Sequence, residues 1–197
     1  KAQEVSQMLE ILQALNDCVK AGKIRHCGLP DDTTWGINQY LKLSETHSLP
    51  RMVSIQNEFS LLHNKDWPYL IENCIHDEVA FLPWSPLAGG ALSGKYLNGA
   101  RPAGTRWTLS QRNGLFRDSE MSMAAITEYK TIAESVGLTA AQLALAWCAQ
   151  VDGVTSTIFG ATSMSQLKEN IDAFKVTLSE ETLQRLDETL KRYPAPF

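Results

Sequence analysis

Three short clusters in this sequence combine residue types that suit a nucleotide. Gln56-Asn57 supplies two side-chain amides, and Trp84-Ser85 a large aromatic face beside a hydroxyl. Gly160-Ala161-Thr162 gives a glycine-led approach to a segment that reads as a helix N-terminus. A flat ring can stack on an indole, amides can meet its polar edge, and a helix N-terminus favours an anion such as phosphate. Each cluster also has a plainer use. Trp84 on a buried strand suits the core equally well, and Gln56 suits the satisfaction of neighbouring backbone groups.

A fourth cluster is glycine-rich. Gly89-Gly-Ala-Leu-Ser-Gly94-Lys95 follows a strand and matches the first seven positions of a Walker A loop. The next residue is Tyr96, so the hydroxyl that would hold magnesium is missing, and Leu97 to Pro102 cannot be the helix that such a loop opens. What remains is backbone N–H groups and Lys95 near an anion, with Arg101, Arg106 and Arg112 further along; a solvated basic loop is the alternative. Other constellations fail. His26, His47, His63 and His76 lack metal-ligand spacing, so no metal site is indicated. Asp31-Asp32 precedes Thr33-Thr34 and fits turn or cap chemistry better than a carboxylate pair. No G-x-S-x-G elbow occurs and no cysteine stands out as a nucleophile, so no catalytic residue is assigned.

The clusters need a scaffold that brings them to one rim. Runs of strand character at 24–29, 52–57, 79–84 and 155–160 alternate with helix-length segments, which is the pattern of βα units in a parallel sheet. The first three recur about every 27 residues, close to one βα unit. Reading just past each strand gives Pro30-Asp31, Gln56-Asn57, Trp84-Ser85 and Gly160-Ala161-Thr162, where parallel α/β sheets gather ligands. Helices are expected over the opening segment to Lys20, from Trp35 to near Pro50, and over 67–76, 123–136 and 139–150. Another follows Ser163, with Gln166 as its capping-box partner, and a last one starts at Ser179. The interval 85–122 breaks the rhythm with several glycines, among them Gly89-Gly90, Gly94, Gly99 and Gly104, and few apolar anchors, as functional connections do.

Length and composition bound the answer. The chain has 197 residues, 44% apolar and 20% charged, which is ordinary for a soluble globular domain. A closed (β/α)8 barrel needs about 250 residues, so half of one fits and a whole one does not. The net charge of −4 argues against nucleic acid as a partner, and no apolar run is long enough for a membrane span. Four cysteines without a CxxC pair read as reduced thiols, which suits the cytoplasm or another reducing compartment. The chain opens on Lys1, and helical spacing begins by Val5, so its start reads as the inside of a longer architecture.

Five motifs in order then carry a resemblance. They are Gly22-Lys-Ile-Arg25 with Gly28, Val53-Ser-Ile-Gln-Asn57, Pro83-Trp-Ser-Pro-Leu87, Leu92-Ser-Gly-Lys-Tyr96 and Gly160-Ala-Thr-Ser-Met-Ser-Gln-Leu-Lys-Glu-Asn-Ile171. Over residues 1–197 the chain resembles the C-terminal half of an aldo-keto reductase, in the branch of Tas-type reductases and potassium-channel β-subunits. The resemblance implies barrel strands five to eight of a TIM (β/α)8 fold, in one partial NADP(H)-binding domain. It implies that Gln56 holds the nicotinamide carboxamide and Trp84 stacks on the nicotinamide. Ser85, Leu87 and Lys95 would line the pyrophosphate, with Arg106 a further phosphate contact. Thr162, Gln166, Glu169 and Asn170 would surround the adenosine and its 2′-phosphate.

Two departures follow from the same resemblance. The family's usual Ser-Asn after the first of these strands reads Pro30-Asp31, which removes a hydroxyl and an N–H and alters nicotinamide recognition. The family's catalytic Asp, Tyr, Lys and His would all precede this chain. The expectation is an oxidoreductase of aldehydes and ketones whose cofactor-binding half is this chain. Its partner would be an N-terminal barrel half, or a second copy meeting it at open sheet edges, and its substrate a small carbonyl compound. The alternative is a non-catalytic nucleotide-binding or assembly subunit of the same descent.

Overall fold

The computed structural model describes residues 2–110, 117–194 and 196. The chain divides into two units, Lys1–Asn57 with Asp66–Leu82, and Glu58–Lys65 with Pro83–Phe197.

The first unit is α/β. Helix α1 (Ala2–Lys20) leads to β1 (Cys27–Pro30), α2 (Thr34–His47), β2 (Met52–Gln56), α3 (Tyr69–His76) and β3 (Ala80–Phe81). The strands pair in parallel in the order β1-β2-β3. Period-two burial sets their faces: Cys27 and Leu29 are buried while Gly28 and Pro30 are exposed. Gly28 lies opposite Ser54, and a Cβ there would run into the Ser54 hydroxyl, so close strand approach requires glycine. Helix α2 starts at Thr33, whose Oγ1 accepts the Gly36 N–H at 3.1 Å, and stops at Ser48, whose φ of 52° ends the helical path. Ile37 and Tyr40 of α2, Leu70, Ile71 and Cys74 of α3, and Met52, Ile55 and Phe81 of the sheet are buried.

The second unit is mainly helical. A connection with two 3-10 turns, Ala88–Ser93 and Leu97–Gly99, leads to α4 (Arg106–Leu109), α5 (Glu120–Ser135), α6 (Ala140–Gln150), α7 (Met164–Ala173) and α8 (Glu180–Arg192). Ser119, Thr139, Ser163 and Ser179 each cap the following helix through a side-chain oxygen, and Thr139 forms a full capping box with Gln142. Helix α6 is buried from Leu143 to Cys148 without a break, as a helix inside a core must be. Phe59 stacks on Trp147 at 5.4 Å between centroids, and the buried Tyr129 hydroxyl donates to the Leu61 carbonyl at 3.2 Å.

The strand expectations need correction at three places. The first strand spans 27–30 and not 24–29, the third spans 80–81 and not 79–84, and 155–160 forms no strand. Pro83 explains the last two. It has no N–H to donate, so the ladder stops at Leu82, whose N–H reaches the Ile55 carbonyl at 2.9 Å. Beyond it only single bridges form: Trp84 pairs in parallel with Glu58 and with Ile158, and the Pro83 carbonyl accepts the Ile158 N–H at 2.8 Å. The observed architecture is therefore α/β with a short parallel sheet; three strands and isolated bridges are too few to close an eight-stranded barrel.

The cysteines are free thiols. Burial pushes Cys148 up to about 12, partly countered by the Thr157 hydroxyl, and Cys74 up to about 11. Cys27 is also raised, first by burial. A thiol with a raised folded-state pKa stays protonated where the unfolded chain ionises. Its stabilisation is complete below the ordinary value of 9.0 and is lost as pH rises toward about 12. Two outcomes are expected. At pH 8, a disulfide reagent should modify one thiol, Cys18, rapidly and the other three only after denaturation. Above pH 9 the thermal midpoint should fall, and less steeply in Cys148→Ala; two or more fast thiols would contradict this burial.

Candidate functional site

Trp84 is fixed by backbone and not by a regular strand. Its carbonyl accepts the Phe59 N–H at 3.2 Å on one side, and the parallel bridge to Ile158 holds the other. Because that bridge is parallel, the residues just beyond each partner leave in the same direction: Ser85 onward from one, Phe159 to Ser163 from the other. The indole is half-buried.

The turn after Trp84 is built from residues with positive φ. Ser85 (56°), Ala88 (49°), Gly89 (65°) and Gly90 (95°) curl the chain back on itself. Ser85 Oγ accepts the Gly89 N–H at 3.0 Å, and the Leu87 carbonyl accepts the N–H groups of Gly90 and Leu92. Lys95 lies against this turn. A Cβ on Gly90 would come within 3.2 Å of Lys95 Cε and 3.3 Å of Nζ and would push the lysine end aside by a few tenths of an ångström, and the φ of 95° itself favours glycine. Lys95 Nζ also sits 5.3 Å from the Tyr96 ring centroid. Among the described residues the ammonium makes no ion pair with a carboxylate.

The third cluster lies at the start of α7. Ser163 Oγ accepts the Gln166 N–H at 3.2 Å, as a cap should. The reciprocal half differs from the capping box expected: Gln166 Oε1 accepts from both the N–H and the hydroxyl of Thr162, each at 3.0 Å, one residue before the cap. That use of the carbonyl end leaves the Nε2 donor without a partner among the described residues. Asn170, one turn on, is buried, and its Nδ2 donates weakly to the Gly160 carbonyl at 3.4 Å. Glu169 faces another way, accepting the Thr139 hydroxyl at 2.6 Å and so tying α7 to the cap of α6.

Trp84, Ser85, Leu87 and Lys95 thus lie on one stretch and Thr162, Gln166 and Asn170 on another, and the Trp84–Ile158 bridge links the two stretches. Arg106 is exposed at the start of α4, and no described residue binds its side chain. Arg112 lies outside the described residues. Gln56 belongs to the first unit, exposed at the end of β2, where its carbonyl accepts the Asp31 N–H at 3.0 Å. Its neighbour Asn57 is structural. The buried amide accepts the Asp32 N–H at 3.2 Å and donates to the Asp32 carbonyl at 2.9 Å and to Asp66 at 2.8 Å. Asp31 takes a φ of 41° beside it.

Sequence reading missed the ion pair of Arg117 with Glu58, itself a bridge partner of Trp84, with both side chains largely buried. The two residues are 59 positions apart, and no local pattern links them. Among the described residues no cluster of His, Cys, Asp and Glu could hold a metal ion.

The aldo/keto reductase family model matches residues 2–191, nearly the whole chain. The chain belongs to the aldo/keto reductase family. It is 42% identical over 191 residues to Protein tas of Escherichia coli, a match covering 96% of this chain and 55% of that protein. A probable voltage-gated potassium channel subunit beta of Arabidopsis thaliana is 30% identical, over 94% of this chain and 58% of its own. Versiconal hemiacetal acetate reductase of Aspergillus parasiticus is 29% identical, over 91% and 52%. This aldo/keto reductase chain spans about half the length of the curated relatives it matches.

Proposed function

We propose that the chain is the NADP(H)-holding part of an oxidoreductase that interconverts aldehydes or ketones with alcohols. The observation that supports this reading is the parallel Trp84–Ile158 bridge, which joins the stretch leading into the Ser85–Lys95 turn to the stretch leading into the Gly160–Asn170 cap. The residues fit the cofactor. A glycine-lined cradle holds an ammonium with no carboxylate partner among the described residues, and the α7 cap keeps a spare amide donor. When bound, NADPH supplies a hydride. Trp84 offers a flat face for a ring, while Ser85, Leu87 and Lys95 border a place for diphosphate. Thr162 and Gln166 hold the α7 N-terminus open to a phosphate. Arg106 adds an exposed cation, and Gln56, at a strand end of the first unit, has the amide chemistry for a carboxamide.

No residue of this chain is assigned proton transfer. The proposal places it in an N-terminal barrel half, in the same protein or a separate one. Two sheet edges that lack a neighbour among the described strands support association with that half or with a second copy. At micromolar concentration, light scattering is expected to give a dimer or larger species; one sharp monomer mass would overturn it. The buried, protonated thiols support a reducing compartment such as the cytoplasm.

NADPH fluorescence titration tests the cofactor reading, and turnover of 4-nitrobenzaldehyde with a supplied N-terminal half tests the reaction. Gln166→Ala is expected to weaken NADPH about tenfold and NADH less than threefold, since one charge-assisted hydrogen bond is worth roughly 1.5–3 kcal/mol. Asn170→Ala should act in the same direction. Equal losses for both cofactors would remove the 2′-phosphate from this position.

A second reading, a nucleotide-binding assembly subunit without turnover, is favoured by the Arabidopsis relative and by Pro30-Asp31 at the end of β1. It predicts NADPH binding with no carbonyl reduction after the N-terminal half is restored.

A further inference from the structure

The connection between Lys95 and α4 contains a column of side chains that nothing in the preceding reading uses. The Tyr96 and Trp107 rings stack at 4.0 Å between centroids with planes 5° apart. Both are buried, Tyr96 at 1% exposure and Trp107 at 3%. Lys95 Nζ lies over the Tyr96 ring and the Arg101 guanidinium over the Trp107 ring, at 5.2 Å. A ring stacked that closely excludes a cation from the shared face. The order is therefore Lys95, Tyr96, Trp107, Arg101, with the two cations capping the outer faces. The Trp107 backbone N–H donates to the Tyr96 hydroxyl at 3.4 Å, which ties the two ring-bearing segments together.

The two ends differ in charge balance. Arg101 pairs with Asp118 at 3.3 Å, whereas Lys95 has no carboxylate partner among the described residues and is pressed between the Tyr96 face and Gly90. A ring face attracts a cation and limits where a flexible lysine stem can go, at lower desolvation cost than a carboxylate would demand. It also leaves the positive charge free for an anion, which a carboxylate would neutralise. The Trp107 indole N–H points the same way. Its Nε1 is buried with no hydrogen-bond partner among the described residues. The indole N–H thus contributes no hydrogen bond among the described residues, and what Trp107 supplies here is its ring.

We infer that the Tyr96–Trp107 ring pair is a positioning element for Lys95, holding the ammonium aimed at an anion without neutralising it. The inference rests on the reading that Lys95 binds the diphosphate of the cofactor. Trp107 touches no cofactor in this account; it acts through Tyr96.

The test is NADPH titration of the intact protein at several salt concentrations, with thermal midpoints recorded for every variant. Lys95→Met should raise Kd at least tenfold and flatten its salt dependence. Trp107→Ala and Trp107→Leu should each raise Kd about 5- to 20-fold and flatten the salt dependence in the same way. Trp107→Phe keeps a flat ring for the stack while removing the orphaned N–H and part of the indole area, and should stay within threefold of the parent. In a Lys95→Met background the Trp107→Leu loss should vanish, because the group it positions is gone. If Trp107→Ala fails to fold, the Leu and Phe variants carry the comparison. If Lys95→Met binds NADPH as the parent does, the diphosphate reading fails beneath the inference. If Lys95→Met weakens binding but Trp107→Leu matches Trp107→Phe, or its loss adds in full to that of Lys95→Met, the diphosphate reading stands and the positioning inference is overturned.

Discussion

Phe59→Ala is expected to destabilise the protein by about 3–5 kcal/mol, as buried aromatic truncations do. Phe59 is fully buried, its ring stacks on Trp147 of the enclosed helix α6, and two residues on, the Leu61 carbonyl accepts the buried Tyr129 hydroxyl. Little around the site can collapse into the void, because α6 is buried from Leu143 to Cys148. The effect should also reach the functional site. Phe59 donates its backbone N–H to the Trp84 carbonyl, so loosening Phe59 loosens the residue proposed to stack on the cofactor ring. Urea titration checks the first part and NADPH titration of the folded fraction the second. A loss below about 1 kcal/mol would show that the cavity closes and that Phe59 does not anchor this segment.

Gly90→Val is expected to weaken NADPH at least tenfold. Two separate effects act at this position. A valine at a φ of 95° is strained by about 1–3 kcal/mol whatever surrounds it. Its Cβ would stand 3.2 Å from Lys95 Cε and 3.6 Å from the Tyr96 ring, so it must displace the ammonium. Gly99→Ala separates the two. Gly99 has a φ of 75°, but a Cβ there meets nothing within 4 Å. That variant should lose about 1 kcal/mol of stability and bind NADPH unchanged. If both variants weaken binding equally, backbone strain in the connection is responsible and the space beside Lys95 is not.

Much of this arrangement was legible in the residue order. The helix starts at Thr139, Ser163 and Ser179 were readable because a hydroxyl with a hydroxyl or carboxamide three positions on is a local pattern with a local cause. Of the strand-end clusters, Pro30-Asp31 and Gln56-Asn57 do lie at the ends of β1 and β2, whereas Trp84 and Ile158 make only single bridges. What failed was extent. The segment 155–160 has strand composition, yet a strand exists only where a partner can supply a ladder, and Pro83 leaves Ile158 one carbonyl. The two amides of Gln56-Asn57 looked equivalent in sequence. Their neighbours separate them, because Asp32 and Asp66 both bind the second. Glu169 turned toward Thr139 for a similar reason: the partner sits 30 positions away, beyond the reach of any local rule. The column from Lys95 to Arg101 could not be read at all, since it requires a connection of irregular turns to fold back until residues 96 and 107 stack.

The divided use of Gln166 has an evolutionary consequence. Its carbonyl end secures Thr162, and its amide nitrogen is the free end, so a glutamate at this position would keep the acceptor that holds the turn. The same change would replace a donor with a negative charge, which repels a 2′-phosphate and suits a ribose hydroxyl. Glutamine and glutamate codons differ by one base. With Gln166 at the 2′-phosphate as proposed, a single base change would disfavour NADPH relative to NADH while keeping the acceptor that holds Thr162.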